Sequence, residues 1–598
     1  MKKKFTKAGG LILGLILILT AAVGMMSACS GGGNNKKDEG KVVIEVSIPG
    51  LGLGGTWMPD FASRFEEAYA NKVYSDDKTG VSVHVNEEPQ GNDMNSLSTD
   101  GNAILIAGVN KGLAYHVSRG ELLNINDVVT KKYDQRDSVT MSIEDKMFDN
   151  DRDIYKIDGE YYALPDYEYG TAITYDRNLF NKLGLYFAKP EATQSVPFHS
   201  AICNADYKFI IPGNTADKSC GPDGKYGNDD DGLPSSLFEL AALCEYMKKV
   251  HTISPFALTG AYKYYCSVLL DAIMVGLQGK NASTDFTLSG EEYEVITGWT
   301  NEKLFPGSKN NILKPIVQKI PITEETGYYT SWSSAKYYAE AFVELITEQE
   351  WWFSGTKLDT KSHYDTQADF IYSGYGSNER IGMLVEFSYW YNEASFSHSF
   401  DYFYQEYPEV TQRDIAYMPL PVSLDKTSTE GNGEDSKMLV TSGGTLVVNA
   451  NIAGDSILVE AVKDFITYYY TDVELSRVSA DFGLPKRLNY KILDEHEQYL
   501  KSSYAKTMID MATSDKVVRI VGNTATFNAN KTSLFKRGFE DSIFNLPGTS
   551  CCFTEIYVGR KNAKQCFETQ MIDKTSWANL YYKGSSTVGD YNGLTYNA

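Results

Sequence analysis

Lys41-Val42-Val43-Ile44-Glu45-Val46-Ser47-Ile48 reads as a β-strand, rich in β-branched residues. It runs into the glycine-rich turn Gly50-Leu51-Gly52-Leu53-Gly54-Gly55. Trp57 to Tyr74 then sets Met58, Phe61, Phe65 and Ala68 on one side of an amphipathic helix. Val81 to Val85 alternates as a second strand. Ala103-Ile104-Leu105-Ile106-Ala107 is a short strand of the buried type, followed by a helical stretch. The order strand, helix, strand, helix, strand predicts an α/β lobe whose sheet is mostly parallel.

Outward from that lobe, residues 170–415 read mainly as helical patterns with aromatic clusters. Strand-like pieces recur at Ile381-Gly382-Met383-Leu384-Val385 and Thr445-Leu446-Val447-Val448. Ile452 to Tyr470 is another amphipathic helix, with Ala461, Val462, Phe465 and Ile466 as core candidates. A chain of 598 residues exceeds one hydrophobic core, so two or more lobes are expected. Its 42% apolar content and 42 tyrosines are those of a globular protein. The net charge is −22, which repels phosphate backbones and speaks against a nucleic-acid partner.

The amino terminus has its own logic. Lys2, Lys3, Lys4 and Lys7 precede an apolar run from Leu11 to Gly24, and small residues follow in Ser27-Ala28-Cys29. A basic start, a short apolar core and small residues before a cut site are the parts of a secretory signal. A Cys directly after them resembles a bacterial lipoprotein signal, in which that Cys is lipidated and becomes the new amino terminus. An ordinary signal peptide or an uncleaved anchor are the other readings, although the core is short for a spanning helix, which needs roughly 20 residues. The expected organisation is a signal over 1–28, a lipid on Cys29, a flexible tether over 29–41, and a mature chain exported and anchored to the outer face of the cell membrane. Seven further cysteines remain, with no C-x-x-C among them. Cys203 with Cys220, or Cys566 with Cys551 or Cys552, could bridge; buried thiols are the alternative.

The turn at 50–55 follows a strand and precedes a helix, the context of a dinucleotide fingerprint. Its spacing is G-x-G-x-G-G, not G-x-G-x-x-G, and no clear acidic partner lies at the end of the next strand. It is read instead as a loop over a ligand cleft, and no cofactor is expected.

Tyr161-Tyr162-Ala163-Leu164-Pro165 leads into Glu168-Tyr169-Gly170-Thr171-Ala172-Ile173-Thr174-Tyr175-Asp176 and Asn178-Leu179-Phe180-Asn181-Lys182-Leu183-Gly184-Leu185. Further on stand Gly382-Met383-Leu384-Val385-Glu386-Phe387-Ser388-Tyr389-Trp390-Tyr391-Asn392-Glu393-Ala394, Ile415-Ala416-Tyr417-Met418-Pro419-Leu420-Pro421, and Gly483-Leu484-Pro485-Lys486-Arg487. In this order the segments resemble the sugar-binding proteins of ABC importers, the maltose-binding-protein-like group. Phe387 stands where that family has Gly, and Tyr389 replaces the first of its paired aromatics. The resemblance implies a two-lobed, periplasmic-binding-protein-like α/β fold with the ligand between the lobes. It places one lobe at 42–165 plus 418–480 and the other at 170–415 plus 485–598. It further implies a monomer that performs no chemistry, captures a carbohydrate and meets permease subunits.

A sugar offers hydroxyls at its rim and a weakly apolar C–H face, so its site needs flat aromatics beside carboxylates. Trp57, Glu168, Tyr169, Tyr264, Glu386, Tyr389 and Trp390 supply that mixture, with core packing as the alternative for each aromatic. Asp223, Asp229 and Asp231 lie on a glycine-rich loop of a composition that suits a structural calcium ion, or else form a solvated acidic turn. Two other functions share these residue types: a secreted carbohydrate-active hydrolase with paired carboxylates, and a binding lipoprotein for a non-sugar solute.

Overall fold

In the computed structural model of this chain the described residues run from 38 to 598, leaving out 51, 52, 54, 89–96, 98–99, 108–112, 135–139, 150, 260–262, 279–287, 289, 324, 353–360, 377, 411, 422, 425–435, 515–516, 520–551 and 582–587. The signal segment, Cys29, Tyr262 and Cys551 therefore lie outside the described residues, as do the side chains of Tyr264, Cys266 and Cys552.

The first lobe begins with β1 (Val42–Pro49), whose Val42, Ile44, Val46 and Ile48 are buried. Helix α1 (Trp57–Ala68) buries Trp57, Met58, Phe61, Ala62 and Phe65. Ala68, expected on that face, is exposed because the helix ends there and the chain turns away. Strands β2 (Val81–Glu88), β3 (Ile104–Ala107) and β4 (Ala163–Pro165) complete the outward course.

The chain then crosses into β5 (Glu168–Asp176), the central strand of a second sheet. A hairpin of β6 (Ser195–Ser200) and β7 (Ala205–Ile210) precedes α2 (Leu237–His251), β8 (Ser254–Leu258) and α3 (Lys263–Gln278). A longer hairpin, β9 (Glu292–Lys303) with β10 (Leu313–Pro321), is followed by α4 (Ser334–Gln349) and α5 (His363–Ile371). Strand β11 (Ile381–Phe387), helix α6 (Trp390–Phe396) and strands β12 (Ile415–Met418), β13 (Leu420–Pro421) and β14 (Ser436–Ser442) close the lobe. The chain returns with β15 (Thr445–Val448), α7 (Ser456–Tyr469) and α8 (Asp472–Phe482). A last passage leads to α9 (Ser503–Ala512) and β16 (Val517–Arg519), and then to α10 (Ala563–Gln570) and α11 (Lys574–Tyr581).

The first sheet has the order β4-β15-β3-β1-β2 and the second β8-β11-β5-β14-β13, with β12 on β5 and β16 on β14. The two-lobed α/β class holds, but the sheets are mixed rather than mostly parallel. β1 lies parallel to β2 and β3, whereas β15 runs antiparallel to β3 and β4. In the second sheet β8 and β11 are parallel, and β5 opposes β11, β12 and β14. The lobe boundary also moves. Strands β12 to β14 belong to the second sheet, so the return crossing falls at Gly443-Gly444 and not at 418. The paired prolines of 419–421 do not end the lobe, because β13 folds back on β14.

One apolar cluster fills the second lobe between its sheet, α2, α3, α4 and the hairpins. The other fills the first lobe and continues across the crossing to the opposite face of the second sheet, through Trp390, Phe400, Tyr417 and Tyr504. Cys203, Cys220, Cys244 and Cys566 are buried thiols rather than bridges, and Cys203 Sγ donates to Phe238 O at 3.3 Å.

Candidate ligand site at the lobe junction

Three passages of chain lie side by side where the lobes meet: 165–169, 442–445 and 484–487. Gly443 N and Gly444 N both donate to Tyr167 O, at 2.9 and 3.1 Å. Glu168 N donates to Pro485 O at 3.0 Å, and Arg487 N to Asp166 O at 2.8 Å. The two glycines are needed for closeness: a Cβ on Gly443 would stand 2.3 Å from the Tyr167 ring, and one on Gly444 2.4 Å from it.

A buried ionic network pins the same place. Lys486 Nζ pairs with Asp166 and donates to Tyr469 Oη at 2.6 Å, and Tyr469 Oη donates to Asp166 Oδ2 at 3.0 Å. Arg487 holds Asp151 through Nε at 2.6 Å and Nη2 at 3.0 Å, with Glu168 Oε2 at 3.7 Å from Nη1. Burial pushes the Lys486 ammonium below its ordinary pKa, against the pull of Asp166. Asn392 of α6 reaches from the second lobe to the first, donating to Leu53 O at 3.1 Å and Phe482 O at 2.9 Å.

The residues expected to face a ligand divide into two groups. Tyr169 and Tyr389 are half-buried and border both apolar clusters. Their rings meet edge to face at 5.1 Å, and Tyr389 stacks on Phe387 at 5.4 Å with 11° between the planes. This aromatic floor is fixed from below, since Ser388 Oγ accepts from Gly170 N at 2.9 Å and Ser388 N donates to Gly170 O at 2.7 Å. The others are interior. Trp57 stacks on Phe482 at 4.7 Å, with Lys486 Nζ 4.5 Å above its ring. Trp390 is fully buried and donates to Thr174 Oγ1 at 2.9 Å. Glu168 is buried beside Arg487, and Glu386 is buried as well. Tyr264 lies in α3, its side chain outside the described residues. Reading by residue type singled out Glu168 but passed over Arg487, which faces it, and the Asp151, Asp166 and Lys486 of the same junction.

Glu386 Oε1 accepts from Thr259 Oγ1 at 2.9 Å. Burial, and then the charge of Glu393, push its carboxyl well above the usual carboxylate range. Glu386 therefore holds its proton to higher pH in the folded protein than in the unfolded chain. In acid both folded and unfolded chains carry the proton and the site has no pH dependence. As pH rises past the ordinary carboxylate range the unfolded state ionises first, and stability falls by at most about 1.4 kcal/mol per pH unit. Glu386→Gln cannot ionise, so its stability relative to the parent should grow between pH 5 and pH 7. Urea unfolding at the two pH values checks this, and parallel curves for both proteins would contradict it.

Glu87 lies against the glycine turn, with carboxylate oxygens 3.0 Å from a Cβ position on Gly50 and 2.4 Å from one on Gly55. A carboxylate there makes the turn electronegative. In the acidic loop the carboxylates serve the loop itself. Asp223 accepts from Lys225 N at 2.7 Å and from Asn228 Nδ2 at 2.9 Å, Asp231 accepts from Gly227 N at 2.8 Å, and Asp229 pairs with Arg177 at 3.4 Å. Among the described residues no three acidic, His or Cys side chains are grouped so that they could hold a metal ion.

No family model matches the chain, and no curated protein matches it. Solved structures similar to it include a chitin oligosaccharide binding protein, at 12% identity and TM-score 0.47 over 89% of this chain and 99% of the other. RafE in complex with raffinose is similar at 11% identity and TM-score 0.48, over 90% of this chain and 100% of the other. The GacH receptor of Streptomyces glaucescens, solved unliganded and with acarbose, is similar at 11% identity and TM-score 0.46, over 91% and 99%.

Proposed function

We propose that this chain is the substrate-binding component of an ABC importer, which captures an extracellular carbohydrate, an oligosaccharide, between its lobes. The observation that carries the reading is the aromatic floor at the lobe junction, half-buried Tyr169 and Tyr389 set against buried Phe387. Flat rings give a sugar face a large contact at little entropy cost. Three adjacent crossings with closely packed glycines are suited to hinge motion, and Asn392 supplies hydrogen bonds that join the lobes. The ligand shifts the open–closed balance by touching both lobes. In this reading the protein performs no chemistry on its ligand, is held at the membrane by a lipid on Cys29, and presents its closed form to permease subunits.

The test is a thermal-shift screen of the chain from Ser30 onward against mono- and oligosaccharides. A ligand that binds only the folded state raises its stability by mass action. Tyr389→Ala should weaken the sugar that gives the largest shift by about 2 kcal/mol, roughly thirtyfold, as calorimetric titration would read it. Full affinity in that variant sinks the aromatic-floor reading. No shift with any sugar in a folded sample moves the assignment to a non-sugar solute.

A further inference from the structure

A cavity of about 500 Å³ lies within the second lobe, away from the junction. It is lined by Phe238 in the first turn of α2, Tyr338 of α4, Leu304 and Pro306 beyond β9, and Leu424 beyond β13. Phe238, Leu304 and Tyr338 are buried and Leu424 is half-buried, so the floor is apolar and aromatic. Glu302, Lys303 and Lys314 complete the lining. The size falls in the range of small-molecule sites, which combine an apolar lining with a few placed polar groups.

The charged groups differ in their commitments. Lys303 Nζ donates to Ser308 O at 2.6 Å. Glu302 and Lys314 are exposed at the turn of the same hairpin, flanking the paired Lys303 and Leu313. Among the described residues they form no ion pair with each other or with another group. One carboxylate and one ammonium on neighbouring strands, in the lining of a cavity otherwise largely apolar, match a molecule with both charges at one end and an apolar body at the other.

We propose that this cavity is a second ligand site, and that it takes a free α-amino acid with a large apolar side chain. The ligand carboxylate meets Lys314, its ammonium meets Glu302, and its side chain rests on Phe238, Leu304, Tyr338 and Leu424. Ser423 O accepts from Leu237 N at 2.9 Å and so holds the Leu424 wall beside α2. Every lining residue belongs to the second lobe, so binding here does not require lobe closure and stands apart from the carbohydrate reading.

The probe is L-phenylalanine, titrated calorimetrically into the chain from Ser30 onward, with 3-phenylpropionate and phenethylamine as the one-charge analogues. L-phenylalanine should bind more tightly than either analogue. Lys314→Glu should weaken it roughly fivefold, because an attraction becomes a repulsion. Adding Glu302→Lys to that variant should restore part of the loss. Both positions are exposed, so both variants keep the fold. Leu424→Asp should weaken binding at least as much, and Tyr389→Ala should leave it unchanged. The proposal is overturned by absence of binding at millimolar L-phenylalanine, by 3-phenylpropionate binding equally well, or by affinity unmoved in both Lys314→Glu and Leu424→Asp.

Discussion

Asp166→Ala is expected to destabilise the protein by about 3–5 kcal/mol, the cost of removing one partner of a buried ion pair. Asp166 and Lys486 are 0% and 1% exposed, so the ammonium left behind has no water to turn to. The carboxylate also accepts from Tyr469 Oη at 3.0 Å, and Tyr469 loses that bond with it. Burial already lowers the Lys486 pKa, and without Asp166 the lysine should shed its proton to escape the penalty. The loss should then shrink at high pH. Replacing both partners, Asp166→Leu with Lys486→Met, should recover most of the stability, since an apolar pair carries no desolvation debt. Asp127→Ala serves as a control: its pair with Lys463 at 2.6 Å is exposed, and its loss should cost about 0.2–1 kcal/mol. Urea unfolding of the four proteins decides the matter. Equal losses for Asp166→Ala and Asp127→Ala would mean that the junction is wetter than its geometry indicates.

That network marks the limit of what residue order discloses. The strand and helix of 42–68 were legible because of their patterns: burial alternates over Val42–Val46 of β1 before the strand becomes buried throughout, and the 57, 58, 61, 62, 65 face of α1 is buried. Alternation failed to disclose the hairpin β9–β10, where register shifts between Ile296 and Gly298 and between Trp299 and Lys303 break the pattern. Arg487 finds Asp151 across 336 residues, a pairing with no local trace. The candidate aromatics divided for a similar reason. Tyr389 and Trp390 are neighbours of one chemical kind, yet Trp390 turns inward because Thr174, 216 residues away, receives its indole N–H. Tyr389 stays half-buried, with Phe387 and Tyr169 packed against its ring. Type and position named both; only the tertiary partner tells them apart.

Truncation after Gln570 is expected to unfold the second lobe ahead of the first. The removed segment carries Trp577, fully buried against Gly327, where a Cβ would stand 2.4 Å from the indole. It also carries Asp590, which accepts from Tyr328 Oη at 2.6 Å, and Leu594 O, which accepts from Tyr329 Oη at 3.2 Å. Asn597 N donates to Thr297 O at 2.9 Å, and Trp299 Nε1 donates to Tyr596 Oη at 2.6 Å. The terminal segment thus binds β9 and the turn before α4 as a strap, extending the apolar core of that lobe. Trp577→Ala alone should cost about 3–5 kcal/mol, transfer and cavity together, and the truncation should exceed it. Because Trp577, Val588, Tyr591, Leu594 and Tyr596 of the strap join or pack against the second-lobe cluster, thermal unfolding of the truncated chain should split into two transitions, the lower one belonging to the second lobe. Tryptophan fluorescence would follow that transition through Trp299, Trp332 and Trp351, all in the second-lobe cluster or packed against it. A single transition at the parent temperature would show that the strap is an ornament on a lobe already stable without it.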